Sequence, residues 1–426
     1  MKILFKNIFI NSPVDNVRCR KDLFISNGII KKIGTVDRTD RNTMVIYGDN
    51  LTAVPGLFDM HVHFREPGHV YKEDINSGIQ SAANGGFTGV LCMPNTLPPV
   101  DSPELLKNLK NKVKGSVVDV FFTGCATKNR KGGQISNFKK LLNNGAIAFT
   151  DDGSSVMNDE LIRKILVNTK KFNTIFLQHA EIEFLTKDGV MNEGNLSKKL
   201  KLKGIPCKSE TIMTLRDLLI AKDIKGCNYH LQHISCGDSI DIIKAGKKDG
   251  LNVTTEVCPH HFILDESVCE SLNSNTKMNP PLRSISDVKK ITKALIDDII
   301  DVICTDHAPH SLEEKSMSFE KAPFGIVGLE TAVGLTYTYL CRRGIISFEK
   351  IIEKMSVNPR KILRLPDIHI KEGYKANLTV LDITQRWTIN KNKFKSKSKN
   401  TPFNGYKVTC KPFAVINNNK IQFCDL

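Results

Sequence analysis

The sequence predicts an α/β fold: a (β/α)8 barrel of TIM type over residues 53–365, with a small β-sandwich domain formed by the flanks 1–52 and 366–426. Three observations lead there. From Ala53 to about Leu365, short apolar runs alternate with helical patterns, the rhythm of βα units around a parallel sheet. Eight such runs can be counted, the number that closes a barrel. Both flanks read as strands, and neither can easily bury a sheet alone, so they are expected to pair.

In the N-terminal flank, Lys2–Ile10 and Leu23–Ile33 are apolar with polar interruptions, and the second holds the hairpin dipeptide Asn27-Gly28. The barrel runs are Ala53–His63, Phe87–Asn95, Val117–Ala126, Ala146–Asp152, Thr174–Ala180, Tyr229–Ser235, Asn252–His260 and Ile300–Asp306. Among the intervening stretches, Glu210–Ala221 is expected to be an amphipathic helix with Ile212, Leu215, Leu218 and Leu219 on its apolar face. After the barrel come strand patterns at Ala376–Leu381, Arg386–Ile389, Tyr406–Cys410 and Phe413–Phe423, the last with a turn cluster at Asn417-Asn418-Asn419.

Composition narrows the class. With 426 residues, 40% hydrophobic and 25% charged, the chain is an ordinary globular protein, which excludes long disorder and collagen-like repeats. No stretch approaches the roughly 20 apolar residues of a membrane span. Met1–Ile10 is broken by Lys2 and Lys6 and lacks a cleavage site, so it reads as a strand and not as a signal peptide. Twelve cysteines without a C-x-x-C pair suggest reduced thiols in the cytoplasm. Cys92, Cys258 and Cys304 lie in apolar runs and read as small buried hydrophobes. The net charge of +16 is spread along the chain without a recognition motif, so no nucleic-acid partner is expected. The five lysines of Lys391–Lys399 read as a solvated loop.

The informative residues are the polar ones at the strand ends, where a parallel barrel carries its catalytic groups. Strand one ends in His61-Val62-His63-Phe64-Arg65, and alternation puts His61, His63 and Arg65 on one face. Strand two ends in Asn95, strand four in Asp151-Asp152, strand five in His179 and strand six in His233. Strand eight ends in Asp306-His307, with His310 beyond. Four histidines and two aspartates in register at one mouth suit zinc or a similar divalent ion. His260 and His261 are expected to line the mouth without ligating, and His230 and His369 to be structural.

The chemistry of such a cluster is hydrolytic. A divalent cation lowers the pKa of bound water to about 7. A carboxylate such as Asp306 can take that proton and return it to a leaving nitrogen. The rigid fork of Arg65 matches a substrate carboxylate, and its shared face with the histidines favours that role over an ion pair with Glu66. Together these residues indicate metal-dependent hydrolysis of an amide-like bond in a small anionic molecule.

The run Val54-Pro55-Gly56-Leu57-Phe58-Asp59-Met60-His61-Val62-His63-Phe64-Arg65-Glu66-Pro67-Gly68 resembles a signature of the dihydroorotases, in the amidohydrolase superfamily. Thr305-Asp306-His307-Ala308-Pro309-His310 resembles their second signature. Met93-Pro94-Asn95-Thr96, Gly189–Gly194, Lys277–Arg283, Pro323–Glu330 and Asn400-Thr401-Pro402-Phe403 are further matches, so the resemblance spans almost the whole chain and is specific to the bacterial-type class.

The resemblance implies reversible cyclisation of N-carbamoyl-L-aspartate to L-dihydroorotate in pyrimidine synthesis, with metal-bound hydroxide as attacking group in the hydrolytic direction. It implies two zinc ions held by His61, His63, Asp152, His179, His233 and Asp306, with Asp152 as bridge and Asp306 doubling as general acid/base. Arg65, Asn95 and His310 would hold the substrate carboxylate beside His63, joined by Asn279 and the backbone of Phe324-Gly325. Hydantoinases and allantoinases bridge their metals with a carboxylated lysine after strand four. Here Phe149-Thr150-Asp151-Asp152-Gly153 has no lysine, which points to the aspartate-bridged dihydroorotase class; the family motif selects Asp152 over Asp151. Where the family usually has Ser-Thr after the strand-six histidine, this chain has Ser235-Cys236. A homodimer and an association with aspartate transcarbamoylase are further implied possibilities. Two alternatives are a catalytically silent subunit of that transcarbamoylase and a different cyclic amidase. The segment Glu313–Ala322 is a candidate mobile loop over the site.

Overall fold

A computed structural model describes residues 1–37 and 40–426. The N-terminal flank forms β1 (Lys2–Ser12), β2 (Val17–Ser26), β3 (Ile29–Ile33), β4 (Met44–Tyr47) and β5 (Leu51–Pro55). The barrel follows with β6 (Leu57–Val62), β7 (Phe87–Cys92), β8 (Asp119–Cys125), β9 (Ala146–Thr150) and β10 (Phe176–Gln178). A two-strand ribbon, β11 (Met191–Asn192) and β12 (Gly204–Ile205), interrupts it before β13 (Tyr229–Leu231), β14 (Val253–Val257) and β15 (Val302–Ile303). The C-terminal flank supplies β16 (Leu378–Thr388), β17 (Lys407–Asn417) and β18 (Lys420–Phe423).

All eight expected barrel runs form neighbouring strands, in the order β15-β14-β13-β10-β9-β8-β7-β6. The ring is closed by a parallel bridge between Val62 and His307, where the His63 N–H donates to the His307 carbonyl at 2.9 Å. The strands are largely buried on both faces and mostly apolar, with buried polar residues such as Asp59, His230 and Glu256 set among them and the rest at their ends. The outer helices begin at side-chain caps: Asp74, Asn158 and Ser284 accept backbone N–H groups of the first turns of Ile75–Asn84, Asp159–Lys171 and Ile285–Ile296. Each cap is worth about 1 kcal/mol. Among the described residues no helix is long and apolar enough to cross a membrane.

The two flanks meet in one continuous sheet, with β5 joining β1 on one side and β16 on the other. It has its own core, which includes Ile3, Phe5, Leu23, Ile25, Leu378 and Ile416. Asn27-Gly28 turns the β2–β3 hairpin, with both residues at positive φ.

Several local expectations need correction. The run Ala53–His63 is two strands: β5 pairs antiparallel with β16, and only β6 enters the barrel. The break is Gly56, where a Cβ would lie 1.9 Å from Asn377 Oδ1 and 2.1 Å from Thr88 Oγ1. Ala376–Leu381 and Arg386–Ile389 merge into β16, while Phe413–Phe423 divides at the Asn418-Asn419 turn.

The helix over Glu210–Ala221 is real, but its buried face is not the expected one. Ile212, Leu215 and Leu219 are 46%, 46% and 58% exposed, and of the four named residues only Leu218 is buried. Glu210, Thr214 and Asp217 face inward instead. They are retained there because each is paired: Glu210 accepts from the Ser235 and Cys236 N–H groups, and Asp217 accepts from Tyr229 Oη at 2.6 Å and Gln178 Nε2 at 3.1 Å. The lysine run is also only half solvated. Phe394, Ser396 and Ser398 are buried between the lysines, and Glu330 accepts from the Lys395 and Ser396 N–H groups.

Candidate active site

The polar strand ends converge at one mouth of the barrel. His61 Nε2 lies 3.3 Å from Asp152 Oδ1 and 3.5 Å from Asp306 Oδ1. His63 Nε2 lies 3.0 Å from Asp306 Oδ1 and 3.5 Å from Asp152 Oδ2. His179 Nδ1 is 3.0 Å from His233 Nε2, which is in turn 3.7 Å from Asp152 Oδ1. Two candidate ion-holding groups result, His61–His63–Asp152 and Asp152–His179–His233, sharing Asp152. Asp151 is turned away, its carboxylate taken by the N–H and hydroxyl of Thr127. Thus the structure brings together all six of the expected ligands.

The backbone is bent to aim these groups. Arg65, His233 and Asp306 have φ of 59°, 29° and 47°. Such values cost a non-glycine residue about 1–3 kcal/mol and persist where surroundings over-determine them. Arg130 contributes by donating to the carbonyls of Asp151 and Asp152 at the end of strand four.

Electrostatics fits a cation. Burial alone would raise the pKa of Asp152 and Asp306, but the imidazole of His61, with those of His63 and His233, holds both well below the usual carboxylate range. Burial alone would lower that of His61, yet Asp152, Glu256 and Asp306 drive it well above the ordinary imidazole value. The cluster thus demands positive charge at its centre. Among the described residues buried His61 Nε2 has no hydrogen-bond partner, and two imidazole nitrogens face each other at 3.0 Å, as expected of lone pairs directed at an ion.

Two carboxylates that motif reading passed over complete the arrangement. Glu256 on β14 meets His61 Nδ1 at 2.6 Å, which leaves Nε2 to face the centre. Glu181 meets His179 Nε2 at 3.1 Å and accepts from Asn279 Nδ2 at 2.5 Å. Burial opposes its charge, but these partners push its pKa down to about 2. A lone acid inside the β-branched strand Val253-Thr254-Thr255-Glu256-Val257 was the signal available for Glu256; Glu181 offered only its position two residues after His179.

Beside the cluster lies a cavity of about 340 Å³, lined by every expected substrate contact: His63, Arg65, Asn95, Asn279, His310, Phe324 and Gly325. Arg65 makes no salt bridge among the described residues. Its Nε donates to the Pro309 carbonyl at 3.2 Å and its Nη2 lies 3.4 Å from His310 Nε2, while Glu66 pairs with Lys112. Burial, with the charges of Arg65, Lys72 and Lys315, pushes the His310 pKa down to about 2, so its ring is neutral. Asn95 Oδ1 meets His63 Nδ1 at 2.8 Å, and its Nδ2 donates to Asp152 Oδ2 at 3.2 Å.

The cavity wall is held from behind. The Lys315 ammonium donates to the carbonyls of Pro323 and Gly325 at 2.9 and 3.0 Å, and Asn400 Nδ2 donates to those of Ala308 and Gly325. Gly325 has φ of 124°, and a Cβ there would lie 2.6 Å from that of Ala308. Within Glu313–Ala322, Lys315, Phe319 and Ala322 are buried, so the proposed loop is anchored at three points.

His260 and His261 do not line the cavity. They open the short helix Pro259–Ile263 and are buried, with His261 Nε2 donating to the Pro280 carbonyl at 3.0 Å. A cavity of about 330 Å³ at the opposite mouth, with Asn228, Asn252 and Asp301 in its wall, has no histidine.

A family model described as "Dihydro-orotase-like" matches residues 51–239. The chain is 39% identical over 420 residues to a dihydroorotase from Acetivibrio thermocellus, covering 98% of each chain. It is 42% identical over 418 residues to one from Carboxydothermus hydrogenoformans, covering 98% of this chain and 96% of that one. In fold it is similar to the L-hydantoinase of Arthrobacter aurescens, with a TM-score of 0.87 and 22% identity, over 100% of this chain and 97% of the other. By sequence similarity along almost its whole length, the chain belongs to the dihydroorotase family.

Proposed function

We propose that this chain is a dihydroorotase, a cyclic amide hydrolase of pyrimidine biosynthesis that interconverts L-dihydroorotate and N-carbamoyl-L-aspartate. The observation that carries the reading is Arg65, a guanidinium without a salt bridge among the described residues, in the wall of a cavity whose floor is an imidazole–carboxylate cluster. An unpaired cation beside a hydrolytic cluster calls for a substrate carboxylate.

The donor set suits two zinc ions: His61, His63 and Asp306 would hold one, His179 and His233 the other, with Asp152 shared. Bound there, the ions would activate water and polarise the ring carbonyl. The remaining roles belong to the chain. Arg65 grips the substrate carboxylate with two parallel N–H groups, helped by neutral His310 and by the second amide hydrogen of Asn95. Buried Asn279 Oδ1, which has no partner among the described residues, accepts from a substrate N–H. Asp306 is ionised, and its Oδ1 is engaged by His63 while Oδ2 takes the proton of the attacking water. As the ring C–N bond breaks, Asp306 returns that proton to the departing nitrogen; cyclisation runs the same transfers in reverse.

The division into a catalytic barrel, 53–365, and a flanking domain from 1–52 and 366–426 belongs to the same proposal, as does a cytoplasmic setting, supported by twelve unpaired thiols. Self-association and assembly with aspartate transcarbamoylase are tested by sedimentation with and without that partner.

The test of the activity is hydrolysis of L-dihydroorotate by purified protein with zinc, followed by loss of ultraviolet absorbance. Turnover removed by a chelator and restored by zinc supports the proposal. Hydantoin turnover without dihydroorotate turnover would make the chain a different cyclic amidase. Folded protein with neither activity, gaining none from the transcarbamoylase, would make it a silent subunit.

A further inference from the structure

Away from the substrate cavity, two thiols and a carboxylate meet where three helices begin. Cys207 is the first residue of the helix Cys207–Asp223, Cys236 directly precedes Gly237–Lys248, and Asp287 lies in the first turn of Ile285–Ile296. Both sulfurs and a carboxylate oxygen lie within 4.8 Å of one another. That spacing admits a single ion at about 2.3 Å from sulfur and 2.0–2.2 Å from oxygen after small rotamer adjustments. Cys236 is buried while Cys207 is half-buried, so the pocket has a route to solvent.

We propose that Cys207, Cys236 and Asp287 form a binding site for a thiophilic divalent cation of the zinc class, distinct from the catalytic cluster. Soft sulfur ligands select such an ion over magnesium or calcium. Both sulfurs sit at the positive ends of helices longer than ten residues, and the buried Arg283 guanidinium lies beside them. The neighbouring Cys236 thiol and the Arg283 guanidinium hold the Cys207 thiol below its ordinary pKa against burial, while Cys207, burial and the Glu210 carboxylate push the Cys236 thiol up, so its proton leaves only as the ion binds. Binding releases two thiol protons for one doubly charged ion, so the net charge of the pocket is unchanged. Asp287 stays in place because Oδ1 accepts from the Gly237 N–H at 2.9 Å and Oδ2 from Ser284. Each oxygen keeps a further lone pair.

The site joins three stretches of chain far apart in sequence. Its occupant would tie three helix starts around the loop that leaves His233, adding stability by preferential binding to the folded state.

The probe is cobalt(II) added to the full-length protein under a non-thiol reductant. Cobalt bound by thiolate gives a near-ultraviolet charge-transfer band that histidine and carboxylate ligands do not. Wild-type protein should take up one more equivalent of cobalt than Cys236→Thr, and show a band that Cys236→Thr and Cys207→Ser both lack. Dihydroorotate hydrolysis by the variants checks that they fold. Equal uptake by wild type and both variants overturns the site. So does a band unchanged in the variants, since it would arise from other cysteines such as the Cys258–Cys304 pair, 3.6 Å apart. A wild-type mass lower by two hydrogens, with no cobalt uptake after reduction, would also overturn it and mark a disulfide-forming pair.

Discussion

Replacing Arg65 by methionine isolates the contact on which the proposed substrate class rests. Methionine keeps much of the aliphatic stem and removes the fork. Nothing among the described residues is left as an unpaired carboxylate, because Arg65 makes no salt bridge; only the Pro309 carbonyl loses a donor, at 3.2 Å, and the contact with His310 is lost. The change should therefore fall on substrate and not on stability. A charge-assisted hydrogen bond is worth about 1.5–3 kcal/mol. At 1.36 kcal/mol per factor of ten, that is a rise in KM of about 10- to 150-fold, with kcat changed far less. Steady-state hydrolysis of L-dihydroorotate measures it. A neutral cyclic amide, lacking the carboxylate, serves as internal control and should lose little. A KM unchanged for dihydroorotate, or an equal loss with the neutral amide, would refute carboxylate recognition by Arg65.

Further outcomes are expected of the cluster and its supports. Asp306→Asn should abolish turnover while most zinc stays bound; near-normal kcat would remove the acid/base role. Glu256→Gln should weaken zinc about 10- to 100-fold, since it removes the charge that orients His61 at 2.6 Å, and chelator competition would read the change. Lys315→Met removes the donor of the half-buried Pro323 carbonyl and leaves the buried Gly325 carbonyl with Asn400 alone, so unfolding in urea should lose about 1–2 kcal/mol, with a raised KM from the loosened wall; unaltered stability would count against that anchor. Burial pushes His260 to a pKa of about 4 and, with the Arg65 charge, His310 to about 2. The unfolded chain binds more protons at both positions below about pH 6.5, so each should cost stability as pH falls from there towards its folded value, by up to about 1.4 kcal/mol per pH unit. Urea titrations at pH 7, 6 and 5 test the slope, which substituting either histidine by glutamine should reduce.

Much of this protein is legible in its sequence because two regularities are local. Strands buried on both faces are mostly apolar, so the βα rhythm marks all eight barrel strands, and the chemistry collects at their ends as His61, His63, Asp152, His179, His233 and Asp306. Alternation along an extended chain aligns His61 with His63 before any contact is known. Partnerships across the barrel have no such local signature. Glu256 comes to His61 from a strand nearly two hundred residues further along, and Asp151 differs from Asp152 only in having Thr127 to bind it. The helix Cys207–Asp223 shows the same limit: composition favours burial of Ile212, Leu215 and Leu219, but Glu210 and Asp217 are the residues with buried partners waiting for them. Local periodicity and strand-end chemistry are properties of the chain. Which polar groups are satisfied inside, which helix face turns inward and which thiols meet are decided by tertiary packing, because a buried polar group is stable only where another part of the fold supplies its partner.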